Sequence, residues 1–214
     1  MNTEYCFKKI DSYNDELINL RRHIHAHPEI SGLEKQTAIL ISGYLKNIGW
    51  SVTESVGRTG VIADFGPLDK GIIGLRVDMD ALPIFEETKL SFSSKVDGVM
   101  HACGHDLHIV VGLGVAKIIT DLKLDFGIRI IFQPAEEIAC GARWMIKDGA
   151  AIGLTHILGV HVYPELSVGT IGIKEGSLTA AAGELKVEIK GKSGHGARPH
   201  EGVDAIWVAS KVIQ

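Results

Sequence analysis

The chain has 214 residues, 45% hydrophobic and 22% charged, with 22 Lys and Arg against 26 Asp and Glu for a net charge of -4. This is ordinary globular composition, enough for one large domain or one domain plus part of another. The scattered basic residues form no stripe suited to nucleic acid. No apolar run approaches a membrane span, and the opening MNTEYCFKKIDSYNDEL lacks the apolar stretch of a secretory signal. Three cysteines (Cys6, Cys103, Cys140) make no paired framework, which fits a reducing, cytoplasmic setting.

In chain order, Leu17, Ile18, Leu20 and Ile24 are spaced for one face of a helix over 11–27, ended by Pro28. A second amphipathic helix is predicted over 32–48, stopped by Gly49. Short strand-like runs follow at 51–54 and 60–65. Three largely apolar runs come next, at 72–77, 126–132 and 155–160. They end in Asp78-Met79-Asp80, Gln133-Pro134-Ala135-Glu136-Glu137 and His161 respectively. Such runs predict strands buried on both faces, hence an α/β fold with a mainly parallel sheet flanked by helices. Helices over 109–122 and 142–147 separate them. Ligands of such sheets bind beyond the carboxyl ends of the strands, where two Asp, two Glu and a His collect.

After about Leu178 the character changes. Residues 184–190 alternate apolar and charged, as a half-exposed strand does. A glycine-rich loop follows at 191–198, then a helix from about Val203 to Gln214. The expected division is 1–178 for most of one domain and 179–214 for the start of a second. One strand and one helix cannot bury a core, so the chain is expected to be truncated.

Cys103 and His105 lie two apart just before a helix. Thiolate, imidazole and carboxylate are the ligands of zinc and related divalent ions. Asp106 is suited to capping that helix, and His101 and His108 lie close by. An isolated Cys-x-His is more often structural; the flanking residues and strand-end carboxylates favour a metal site. Of the adjacent pair Glu136 and Glu137, one can bind metal while the other accepts a proton from water. The alternative is a solvated acidic pair at a helix start. Asp78 and Asp80 can bind metal or orient a ligand. His195, between glycines, is either an ordinary loop histidine or one that can reach a site and donate to a developing oxyanion. His23, His25 and His27 do not share one helix face, so they are read as structural or supporting residues.

Together these motifs resemble the M20 family of metallopeptidases, and within it the amidohydrolase branch of hippurate hydrolases, N-acetyldiaminopimelate deacetylases, N-acyl-amino-acid amidohydrolases and auxin-conjugate hydrolases. The matching stretches are Arg21-Arg22 with His27-Pro28-Glu29, LRVDMDALP (75–83), MHACGHDLH (100–108), FQPAEE (132–137), GVHVYP (159–164) and GHGARPH (194–200). The resemblance implies a zinc-exopeptidase-like catalytic domain followed by a small α+β lid and dimerisation domain. It implies two divalent ions (Zn, Mn, Co or Ni) on Cys103, His105, Glu137 and His161. Glu136 is then the general base, Asp80 a supporting acid, and His195 a lid residue reaching a partner subunit's site. Cys103 takes the place of a bridging carboxylate, and Asp78 that of a metal-binding His in many other members. The implied reaction is hydrolysis of N-acyl amino acids by a homodimer, with no nucleic-acid or membrane partner. Family members are about twice this long and supply one more histidine ligand. The alternatives are an inactive remnant or binding protein of the same fold, and a thiol hydrolase with Cys103 as nucleophile.

Overall fold

A computed structural model describes residues 3–180 and 185–214. They fall into two compact units, Met1–Ile171 and Gly172–Gln214.

The first unit begins with helix α1 (Thr3–Ala26), longer at its start than the hydrophobic spacing predicts. A Glu4–Lys8 pair and a Lys9–Asp121 bridge of 2.7 Å support the added turns. Leu17 and Ile24 face inward, and α1 packs on helix α3 (His105–Thr120). Helix α2 (Lys35–Asn47) buries Thr37, Ile41, Ser42 and Leu45. Its first N–H groups are satisfied from outside, because the Glu29 carboxylate accepts from Gln36 N (3.1 Å) and Thr37 N (2.9 Å). Gly49, at φ +86°, ends it as predicted.

Five strands follow: β1 (Ser51–Val56), β2 (Gly60–Phe65), β3 (Ile72–Asp78), β4 (Gly127–Gln133) and β5 (Leu154–Gly159), in the order β1-β2-β4-β3-β5. β3 runs parallel to both β4 and β5, as expected of the strands ending in acidic residues or histidine. The hairpin β1–β2 joins β4 antiparallel, so the sheet is mixed. Alternate residues serve opposite faces. Val61, Ala63, Ile128, Ile130 and Phe132 join the core with Ile41, Ile109 and Leu113 of α2 and α3 (His105–Thr120). Ile62 and Ile131 join Met145 of α4 (Gly141–Lys147). Helices therefore cover both faces. β5 is an edge strand whose Ile157 and Leu158 are exposed. No described helix is long and apolar enough to cross a membrane.

In the second unit, residues 185–190 form no strand, contrary to the alternation, and Glu184 lies outside the described residues. Alternation makes a strand only when another strand takes its hydrogen bonds, and none among the described residues pairs with it. A backbone pair between Lys192 and Val203 closes the glycine-rich loop. Helix α5 (Ala205–Ile213) starts at Asp204, whose carboxylate accepts from Ile206 N and Trp207 N.

Candidate metal centre

Because β3, β4 and β5 are parallel, their carboxyl ends open on the same side. Asp78 closes β3 and Asp80 follows it. Glu136 and Glu137 lie in the turn after β4, and His161 lies two residues past β5. α3 starts at this same rim. Its N-cap is Gly104 at φ +81°, a conformation that favours glycine, and a Cβ there would lie 2.6 Å from Val162 Cγ2. That start brings Cys103 and His105 to the strand ends, four residues before the predicted helix. Asp106 lies inside the first turn and does not cap it.

Asp80 organises the centre. Its Oδ1 takes His105 Nδ1–H at 3.2 Å, and its backbone oxygen takes the same proton at 2.9 Å. Its Oδ2 accepts from Ser31 Oγ (2.6 Å) and Glu137 N (3.0 Å). His105 Nε2 is thereby turned into the site. It is buried without a hydrogen-bond partner among the described residues, as is Glu137 Oε1, 3.8 Å away. Glu136 Oε2 is 3.9 Å and Asp78 Oδ1 3.6 Å from the same nitrogen. His161 gives Nδ1–H to Val162 O (2.7 Å), which leaves its Nε2 lone pair 3.5 Å from Cys103 Sγ. Donor atoms of Cys103, His105 and His161 lie within 4.8 Å of one another, as do those of His105, Glu136 and Glu137. Two buried atoms without partners among the described residues, His105 Nε2 and Glu137 Oε1, with a thiol and a second imidazole beside them, fit a divalent ion.

The turn holding the two glutamates is strained and tightly held. Ala135 (φ +50°) and Ala139 (φ +51°) are left-handed without being glycine. Glu34, fully buried, takes Ala135 N–H at 2.8 Å, together with Gly32 N–H and the Thr59 hydroxyl. Sequence reasoning missed Glu34 and Ser31. Neither spacing nor periodicity marks a charged residue that turns inward to bind backbone.

Burial raises the Cys103 thiol, and the charges of Glu137, Glu136 and Asp78 add to this, pushing it up to about 12. A cysteine nucleophile needs the thiolate, so this setting disfavours the thiol-hydrolase reading. Burial pulls His105 down, but Asp80, Asp78 and Glu137 more than offset it and leave the ring above its ordinary value. Burial raises Glu137, and His105 only partly opposes this. A metal ion taken up here therefore displaces protons from Cys103 and, at lower pH, from His105. Affinity is expected to fall as pH falls, about tenfold per unit for each proton released. Calorimetric titration in buffers of different ionisation enthalpy checks this, and uptake with no proton release would contradict it.

Behind the centre, His25 is buried and joins Asp106 Oδ2 (2.7 Å) to Glu86 Oε1 (3.0 Å), while Arg21 Nε also lies 2.7 Å from Asp106 Oδ2. This supporting role matches the reading of His25. His23 and His27 are exposed, their rings tilted against each other with centroids 4.5 Å apart. His101 is buried, and burial lowers it to about 4. His195 belongs to the second unit. Its Nδ1 accepts from Ala197 N (3.2 Å), so the neutral ring carries its proton on Nε2.

Residues 74–211 match Peptidase family M20/M25/M40, and the chain belongs to this family. A probable hydrolase of Synechocystis is 52% identical over 92% of the chain and 51% of that protein. The N-acetyl-L-cysteine deacetylase of Bacillus subtilis is 44% identical over 95% of the chain and 50% of the relative. The N-acyl-L-amino acid amidohydrolase of Geobacillus stearothermophilus is 40% identical over the whole chain and 59% of its own length. A crystal structure of Bacillus subtilis YXEP, described as a dinuclear metal-binding peptidase of the family, superposes with a TM-score of 0.75 at 45% identity. That match covers 78% of this chain and 47% of the other. The chain thus spans about half the length of the relatives it matches.

Proposed function

We propose that this chain forms the metal-binding part of an amidohydrolase that splits the amide bond of N-acyl amino acids. The observation that carries this reading is the pair of buried atoms His105 Nε2 and Glu137 Oε1, without hydrogen-bond partners among the described residues and 3.8 Å apart beside Cys103 and His161. The N-acyl substrates named for two relatives support the substrate class.

Cys103, His105, Glu137 and His161 would hold two divalent ions. Bound there, such ions supply Lewis acidity for activating water and polarising a carbonyl. Asp80 holds the His105 ring and the Glu137 backbone in place. Glu136, the more exposed of the two glutamates (37% against 18%), takes a proton from the attacking water and returns it to the leaving amine. His195 presents Nε2–H, the form able to donate to a carbonyl oxygen that gains charge. The second unit fits the start of a lid in a homodimer. The three free cysteines fit a cytoplasmic setting.

The test is metal removal from the purified protein. Chelation is expected to abolish hydrolysis of an N-acetyl amino acid, and added Zn, Mn, Co or Ni to restore it. Undiminished turnover in metal-stripped protein would overturn the reading.

A further inference from the structure

We propose that His108 is a positioning residue that holds the His161 segment in place, and that it is not itself a ligand; this rests on the metal-hydrolase reading above. The donor atoms of Asp78, His105 and His108 lie within 4.8 Å of one another, so position alone would admit His108 as a ligand. Its hydrogen bonds decide otherwise. His108 is 1% exposed, and its Nε2 lies 2.8 Å from the backbone nitrogen of Val162. A backbone N–H can only donate, so Nε2 must offer its lone pair. The ring proton then sits on Nδ1, where Asp78 Oδ1 accepts it. Both nitrogens are engaged, and none is left for metal.

The bond to Val162 acts where β5 no longer can. The last residue of β5 paired with β3 is Gly159, two residues before His161. The main chain of Val162 is held on both sides: its N–H goes to His108 and its oxygen takes the His161 Nδ1 proton. The His108 ring also meets the His161 ring edge-on, with centroids 4.8 Å apart. His108 thus ties the end of β3, through Asp78, to the peptide that orients His161. Partners of this kind are worth about 10- to 100-fold in metal affinity.

Two amide side chains separate the halves of this role. In His108→Gln the amide reaches as far as Nε2 and can still accept from Val162. In His108→Asn it reaches only as far as Nδ1, keeping the bond to Asp78 and losing Val162. Zn2+ binding by calorimetry, with bound metal counted after dialysis, is expected to drop about 10- to 100-fold for Asn and to drop less for Gln, which gives up Asp78 but keeps the bond to Val162. A general structural role would weaken both alike. Equal losses, or a larger loss for Gln, would overturn the proposal. Nitrogen-15 NMR of the wild-type imidazoles needs no variant to fold: it should show the His108 proton on Nδ1, and a proton on Nε2 would also overturn the proposal. A wild type that binds no Zn2+ would refute the hydrolase reading and this one together, whereas metal-binding wild type with indistinguishable variants would refute this one alone.

Discussion

Replacing Glu136 by glutamine is expected to lower kcat for N-acyl amino acid hydrolysis by about 10²- to 10⁴-fold, while the protein still takes up divalent metal. Glutamine keeps the shape of the side chain and loses only the ability to accept a proton. Glu136 and Glu137 are neighbours with different surroundings. Glu137 has a buried oxygen without a partner among the described residues and its backbone N–H tied to Asp80, as suits a residue fixed on an ion. Glu136 stands at nearly the same distance from His105 Nε2, 3.9 Å against 3.8 Å, but is more open to solvent. Steady-state kinetics and metal analysis on one preparation separate the two effects. Wild-type kcat in the variant would remove Glu136 from the chemistry, and loss of metal together with activity would make it a ligand.

Gly141→Ala is expected to destabilise the first unit by about 3 kcal/mol or more and to weaken metal binding. The difficulty is contact, not backbone angle. A Cβ at Gly141 would fall 1.6 Å from the carbonyl oxygen of Pro134 and 2.7 Å from its carbon. Both are main-chain atoms, so the turn itself must open. That turn carries Glu136 and Glu137 and is already closed by Cys140 N–H and Gly141 N–H on Ala135 O, so the shift reaches both carboxylates. For a unit of this size the loss corresponds to a melting point lower by roughly 6–12 °C. Gly43→Ala is the control, since nothing lies within 4 Å of a Cβ there. In mid-helix that change should stabilise by roughly 0.5–1 kcal/mol. Thermal melts of the two variants should move in opposite directions; a Gly141→Ala variant that melts with wild type would show the turn to be pliable.

The strand ends were legible because three apolar runs each stop at residues that chemistry uses. Asp78, Asp80, Glu136, Glu137 and His161 do converge at the carboxyl ends of parallel strands. Strand direction is legible for β3, β4 and β5, which run parallel as their apolar runs imply, but not for β2, which joins β4 antiparallel. β2 is buried much like β4, and apolar runs report burial, not which way the neighbouring chain runs. Apolar spacing starts α3 only at Ile109, because the helix begins with polar His105 and Asp106 after a left-handed Gly104. The alternation at 185–190 describes side chains that suit a sheet, and a sheet also needs a second strand. Family resemblance gave roles to Cys103 and Glu137. It gave no sign that Glu34 and Ser31, both close to the start of α2, hold the carboxylate turn and Asp80 from behind.

The outer rim of β5 bears on how the chain behaves in solution. Ile157 and Leu158 lie exposed on a strand whose far side pairs with nothing among the described residues, and no Pro or Lys within Leu154–Gly159 blunts it. An apolar edge of that kind is a template for intermolecular strand addition. A preparation of these 214 residues alone should therefore scatter light increasingly with concentration, and Leu158→Lys should suppress the association while sparing the rim where the ligands meet.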